Sequence, residues 1–324
     1  MRFTGRFLPA GTYRPAPLTL LPDARHPAIR RERGSPGTLG RVKRTCFYHA
    51  GCPDGFGAVW AVWRAWGADA RYIPRGHDDP FDPQRHAGET VVFVDIAPPP
   101  EALPELSELA GQLIVLDHHV SARERFAESG GLDFAHARRG HLIRFDLSHS
   151  GAVLAWMHFH AGEAPPLLRY VEDQDLWSWE LPDSEAVNAA IGSYPRDFET
   201  WDGLAARPIS ELAAEGLPIV RSNRQEVEQS LQSAAPVALG SRRIEAVNAR
   251  HQRAQIGHAL AARAAFGQPW GLVYRITADR VDVSLYSIGD LDVAAIAGSY
   301  GGGGHRNAAG FSVSLRRWLD DFVV

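Results

Sequence analysis

His49, Asp54, Asp95, the tripeptide Asp117-His118-His119 and the nearby pair Asp173 and Asp175 are residue types that bind cations and move protons. Imidazoles and anionic oxygens converging from separate segments are what a hard or borderline divalent ion requires. Two such ions about 3.5–4 Å apart can activate a bridging water and clamp both oxygens of an in-line phosphoryl displacement. A carboxylate shared between them must be held rigidly, and Asp95 suits that part because it closes a buried apolar run. Taken singly each residue has a bland reading: His49 in a core, Asp95 as a helix cap, Asp54 in a turn. Placement along the chain decides between the two.

Residues 45–49 read as a short strand ending at His49, followed by a turn over 50–55 and a helix over 56–66. Trp60, Trp63 and Trp66 form a stripe on that helix, which reads as core rather than as a ligand platform. Val91-Val92-Phe93-Val94 is a continuous apolar run of the buried parallel kind and ends at Asp95. Residues 101–110 suit a helix, and Leu113-Ile114-Val115-Leu116 is a second such strand ending at Asp117-His118-His119. Strands alternating with helices predict an α/β fold with a mostly parallel sheet. His49, Asp95 and Asp117-His118-His119 then share its carboxyl edge, where open α/β sheets bind ligands.

Farther along, 148–160 and 167–175 read as helices. Residues 209–234 read as a polar helical connector interrupted by Gly216 and Pro218. A smaller second unit follows, with strands near 243–247, 271–277, 281–286 and 310–315 and helices over 253–265 and 293–300. The run Gly301-Gly302-Gly303-Gly304-His305 precedes its last strand. The organisation expected is a disordered extension over 1–44, a catalytic domain over 45–208, the connector over 209–238 and a substrate domain over 239–324.

The 34 basic residues comprise 33 arginines and Lys43. No other lysine is available as a Walker A residue, Schiff base or general base. Residues 1–44 carry a balance of +8 and the remaining 280 a balance of -12. An acidic body argues against gripping a long duplex. Cys46 and Cys52 match no zinc or redox spacing and are expected to be reduced. The Arg-rich start has one serine and six prolines, which suits an appendage better than a transit peptide; its deletion is expected to leave activity intact. The longest apolar stretch falls short of a bilayer span, so a cytoplasmic protein without membrane contact is expected.

In order, His49-Ala-Gly-Cys-Pro-Asp54-Gly-Phe-Gly, Val-Val-Phe-Val-Asp95, Leu-Asp117-His118-His119, an aspartate after a helix, and Gly-Gly-Gly-Gly-His305-Arg-Asn-Ala-Ala-Gly310-Phe resemble the motifs of the DHH phosphoesterase superfamily. The likeness covers roughly residues 45–315 and extends to the DHH-associated substrate-binding domain. It implies a parallel-sheet DHH domain plus a smaller α/β domain, with the site in the cleft between them and a divalent cofactor, Mn²⁺, as one or two ions. By resemblance His49, Asp54 and Asp95 hold one ion, and Asp95, His118 and Asp173 contribute to the second, with Asp175 the alternative to Asp173. His119 faces the substrate phosphate and can protonate the leaving group, while Asp117 orients the histidines. Gly302, Gly303, Gly304, His305 and Arg306 contact substrate, glycines letting backbone N–H groups approach a phosphate.

Three positions depart from the family pattern. Phe56 stands where many members have a second aspartate, leaving the second ion short of a ligand unless Cys52, water or substrate supplies it. The step from His49 to Asp54 is one residue longer than in the commonest form of the motif. Tyr286-Ser287 replaces an Arg-Ser pair, exchanging a phosphate partner for a ring able to stack on a base. Aromatic forms of the first motif occur in oligoribonuclease-like branches. The function expected is therefore metal-dependent hydrolysis of phosphodiester bonds in short oligonucleotides or small nucleotides, with a homodimer possible. The alternatives are hydrolysis of pyrophosphate or short polyphosphate, disfavoured by the lack of lysine, and a nucleotide-binding regulator with a degenerate metal site.

Overall fold

The computed structural model describes residues 43–77, 79–130 and 140–324, all within the unit Val42–Val324. Most of the expected extension over 1–44 thus lies outside the described residues. The described chain is α/β. It opens with β1 (Arg44–His49), α1 (Pro53–Trp66), β2 (Arg71–Arg75), β3 (Thr90–Val94), α2 (Leu103–Leu109), β4 (Gln112–Asp117), α3 (Val120–Glu128) and β5 (Leu142–Phe145). These strands form one sheet in the order β2-β1-β3-β4-β5, with every pairing parallel.

Alternation along the strands fills both faces, as parallel sheets require. Cys46, Val92, Val94, Ile114 and Leu116 pack with Trp60 of α1 on one side, while Phe47, Val91, Phe93 and Val115 pack with Leu103 and Leu106 of α2 on the other. Trp60 is buried, and Trp63 and Trp66 lie partly buried against the same cluster, so the tryptophan stripe is core. A run of helices closes this half: α4 (Gly151–Phe159), α5 (Pro166–Asp175), α6 (Ser184–Ser193) and α7 (Phe198–Ala205).

The expected break in the connector is absent. Helix α8 (Ile209–Leu231) runs unbroken through Gly216 and Pro218. A proline inside a helix costs about 3 kcal/mol, but Leu212, Ala213 and Val220 bury one face of α8. Gly216 lies so close to Ala186 that an added Cβ would fall 1.7 Å from its carbonyl oxygen. Tertiary packing carries the helix past its weak residue.

The second sheet combines β6 (Ala235–Leu239), β7 (Arg242–Asn248), β8 (Trp270–Thr277), β9 (Arg280–Ser287), β10 (Gly303–His305) and β11 (Ala308–Ser314), in the order β10-β11-β9-β8-β7-β6. It is mixed: β7 and β8 are parallel and its other pairings antiparallel. Helices α9 (Arg253–Arg263), α10 (Val293–Gly298) and α11 (Leu315–Asp321) accompany it. The glycine run is partly a strand, β10, rather than wholly a loop. No helix among the described residues is long and apolar enough to cross a membrane.

Candidate active site

Three neighbouring strands deliver polar side chains to one edge. β1 ends at His49, β3 is followed by Asp95, and β4 ends at Asp117 with His118 and His119 directly beyond. Asp95 adopts φ 56°, a left-handed backbone that non-glycine residues rarely hold and that clusters at functional sites. Its carboxylate is buried and divides its attention. Oδ1 lies 3.0 Å from His118 Nε2, while Oδ2 lies 3.3 Å from His49 Nδ1 and 3.3 Å from Cys52 Sγ. Burial would raise its pKa, but hydrogen bonds from His118 and His49 and the charge of His119 hold it well below the usual range.

The turn after β1 brings Cys52 and Asp54 to the same place. Cys52 caps α1, its sulfur accepting from the Gly55 amide at 3.1 Å, and also lies 3.3 Å from His49 Nδ1. Pro53 begins the helix, where its missing N–H costs nothing. Gly55 is needed for the fit, because a Cβ there would fall 2.2 Å from the His49 carbonyl oxygen. Asp54 accepts from the Gly151 and Ala152 amides at the start of α4, at 2.7 and 3.0 Å. Gly151 permits that approach, since a Cβ would stand 2.4 Å from Asp95 Cβ.

Asp175, the last residue of α5, completes the group. His118 Nε2 lies 3.5 Å from Asp175 Oδ2 and 3.7 Å from Asp54 Oδ2. Burial and the charges of Asp95 and Asp175 push the Asp54 carboxyl well above its ordinary value. His118 moves up as well: burial alone would lower it, yet the hydrogen bond to Asp95 and the charges of Asp175, Asp54 and Asp95 raise it to about 10. The Asp175 Oδ2 and His118 Nδ1 atoms are buried without a hydrogen-bond partner. Three crowded carboxylates, two of them (Asp54 and Asp175) pushed towards their neutral forms, fit a bound cation that would relieve their repulsion. The donor atoms fall into adjoining groups, His49 with Cys52 and Asp95, and Asp54 with His118 and Asp175, each set within 4.8 Å.

Around these carboxylates stand further imidazoles. Asp117 Oδ1 accepts from His119 Nδ1 at 2.7 Å and from the His118 amide at 2.8 Å. Burial would lower His119, but the Asp117 charge and hydrogen bond raise it. His305 stacks on His119 with centroids 4.7 Å apart and lies 4.9 Å from His118. Burial, then the charges of His119 and His118, lower its pKa to about 3. His77, exposed at the edge of the group, lies 5.0 Å from His49 and 5.8 Å from His119, and desolvation of its ring by the surrounding protein, then those neighbours, lower it to about 4.

Several expectations change. The aspartate at the site is Asp175, not Asp173. The Asp173 carboxylate faces the other way around α5 and accepts from the Glu180 and Leu181 amides at 2.8 and 3.4 Å. Asp54 sits with His118 rather than with His49, and Cys52 takes the place beside His49. Phe56 leaves no gap: its ring stacks on Phe198 at 5.5 Å and meets Trp201 edge-on, inside the core. Arg306 turns away, donating to the Asp290 carbonyl and carboxylate at 2.8 and 3.3 Å.

The glycine run accommodates protein as well as open space. A Cβ on Gly302 would fall 2.0 Å from the Gly310 carbonyl oxygen, and one on Gly303 2.8 Å from Ser121 Oγ. Gly304 adopts φ 142° and its amide donates to Ser121 Oγ at 3.0 Å, tying β10 to α3. The Tyr286 ring is covered by Gly257, where a Cβ would stand 1.9 Å away, so one of its faces is closed to stacking. His77 is the residue that sequence reasoning passed over; Cys52 enters there only as a stand-in for the ligand missing at Phe56, and Asp175 only as the alternative to Asp173.

No family model matches the chain. The uncharacterized protein R106 of Acanthamoeba polyphaga mimivirus is 25% identical over 297 residues, covering 82% of this chain; the match spans 66% of that relative's own length. Among solved structures, a pGpG-specific phosphodiesterase, PggH, from Vibrio cholerae aligns with TM-score 0.44 at 13% identity, over 86% of this chain and 96% of its own. An exopolyphosphatase-related protein from Bacteroides fragilis aligns with TM-score 0.38 at 12% identity, over 83% of this chain and 86% of its own. The functional reading therefore rests on the chain's own side chains.

Proposed function

We propose that the chain is a phosphoesterase of the DHH type, hydrolysing phosphodiester bonds of short oligonucleotides or small nucleotides with divalent metal. One observation carries the reading. Asp95 is flanked by two donor groups, His49 with Cys52 and His118 with Asp54 and Asp175, at the carboxyl edge of a parallel sheet. When bound there, divalent ions supply an activated water and screen the charge of a phosphoryl group.

The protein's own groups account for the remaining requirements. Asp117 fixes His119 by its Nδ1, leaving Nε2 to face substrate, and holds the ring ready to carry a proton. That imidazolium suits a phosphate oxygen or a departing alkoxide. His305, kept neutral by burial beside two other imidazoles, adds hydrogen bonding without adding charge. The tie between Gly304 and Ser121 sets His305 from the second sheet over His119 from the first.

Purified protein supplied with Mn²⁺ and, in parallel, a short RNA, a cyclic dinucleotide and pyrophosphate tests the proposal. Mononucleotide release is the expected result. Orthophosphate from pyrophosphate alone would replace it with the polyphosphate reading, and binding without turnover in every metal would replace it with a regulator.

A further inference from the structure

Cys52 presents its sulfur where an oxygen or nitrogen ligand would ordinarily be sought. Its Sγ is 3.3 Å from His49 Nδ1 and 3.3 Å from Asp95 Oδ2, and those two atoms are themselves 3.3 Å apart. An equilateral triangle of that edge approximates one face of a tetrahedron with bonds of roughly 2.0–2.3 Å, the range of zinc with nitrogen, oxygen and sulfur donors. The three donors come from the end of β1, the cap of α1 and the end of β3, so the fold fixes each independently. The neighbouring group holds no sulfur: Asp54, His118 and Asp175, with the buried Asp175 Oδ2 3.5 Å from His118 Nε2 and making no hydrogen bond.

We infer that Cys52 is a thiolate ligand of the first metal position, making the centre chemically asymmetric: a sulfur-containing half beside an oxygen-rich half. This deepens the metal-dependent reading above and rests on it. Thiolate favours zinc, iron or cobalt over manganese, whereas carboxylates with one imidazole accept manganese or magnesium. On binding, the Cys52 sulfur gives its proton to solvent and forms the metal–sulfur bond, with no change of oxidation state. Without metal, burial and the charges of Asp95, Asp54 and Asp175 hold the Cys52 thiol well above its ordinary pKa, and the Gly55 amide that points at the sulfur would support the anion once an ion is bound. Phe56, facing the core, withholds no ligand under this arrangement.

The test uses the full chain, stripped of metal and then titrated with Co²⁺ or Zn²⁺. Wild type should bind two ions, show a sulfur-to-cobalt charge-transfer band, and have Cys52 protected from iodoacetamide by Zn²⁺. Cys46, fully buried in the sheet, serves as the internal thiol that is unreactive in both states. Cys52→Ser should lose the band and one ion, and Cys52→Asp should shift the Zn²⁺ over Mn²⁺ preference down by about tenfold or more. Two bound cobalt ions without the band, or Cys52 alkylated equally with and without Zn²⁺, would overturn the assignment while leaving the metal-dependent reading intact. Failure of wild type to bind any ion would overturn both. The alkylation measurement needs only wild-type protein, so poor folding of a variant does not blunt it.

Discussion

The carboxylate of Asp95 touches both donor groups, so Asp95→Ala should remove both ions together rather than weaken one. The two acidic candidates at the end of α5 separate cleanly. Asp175→Asn should abolish turnover and leave thermal unfolding unchanged or raised, since it relieves carboxylate crowding. Asp173→Ala should keep activity but lose about 1–3 kcal/mol of stability, because the Glu180 and Leu181 amides lose their acceptor. Metal affinity should rise with pH. Without metal, His118 holds its proton up to about 10, and an ion must displace it, so binding strengthens from neutral pH towards that value with proton release. Calorimetric titration in buffers of different ionisation enthalpy measures that release; affinity falling with pH would contradict the proposed competition. At this scale the histidines and Asp95 were legible because apolar runs announced their strands. The choice between Asp173 and Asp175 was not, since two positions along a helix are about 200° of rotation and only contacts tell which faces inward.

Elements position these groups through close approaches that permit no side chain. Gly151 starts α4 against Asp95 and Asp54, and Gly55 lets α1 abut the end of β1. Helix propensity alone would make Gly→Ala worth about 1 kcal/mol in the favourable direction. Here Gly151→Ala should instead destabilise and weaken metal binding, because its Cβ would sit 2.9 Å from Asp54 Oδ2. A rise in melting temperature with unchanged metal affinity would refute the packing described. The unpredicted strands share a physical cause. β2 and β5 are the edges of the first sheet, and β6 and β10 those of the second. Edge strands lack the continuous apolar run of a strand buried on both faces; β2 carries Pro74 and β10 is made of two glycines and His305. The central strands β1, β3 and β4 were readable for the opposite reason.

Across the described chain, two sheets meet where Ser121 receives the Gly304 amide and His305 stacks on His119. His305→Ala should therefore lower kcat while leaving metal content unchanged; loss of an ion in that variant would place His305 among the ligands instead. The near-absence of lysine and the division of charge could be counted in the sequence, but a cysteine at the helix cap acquires meaning only once His49 and Asp95 stand beside it. The most direct test of the whole account pairs metal analysis with hydrolysis of a short RNA in wild type and Asp95→Ala, checked for equal folding by circular dichroism. Two ions and mononucleotide release in wild type, with both lost in the variant, are predicted. Hydrolysis surviving in Asp95→Ala would contradict the site.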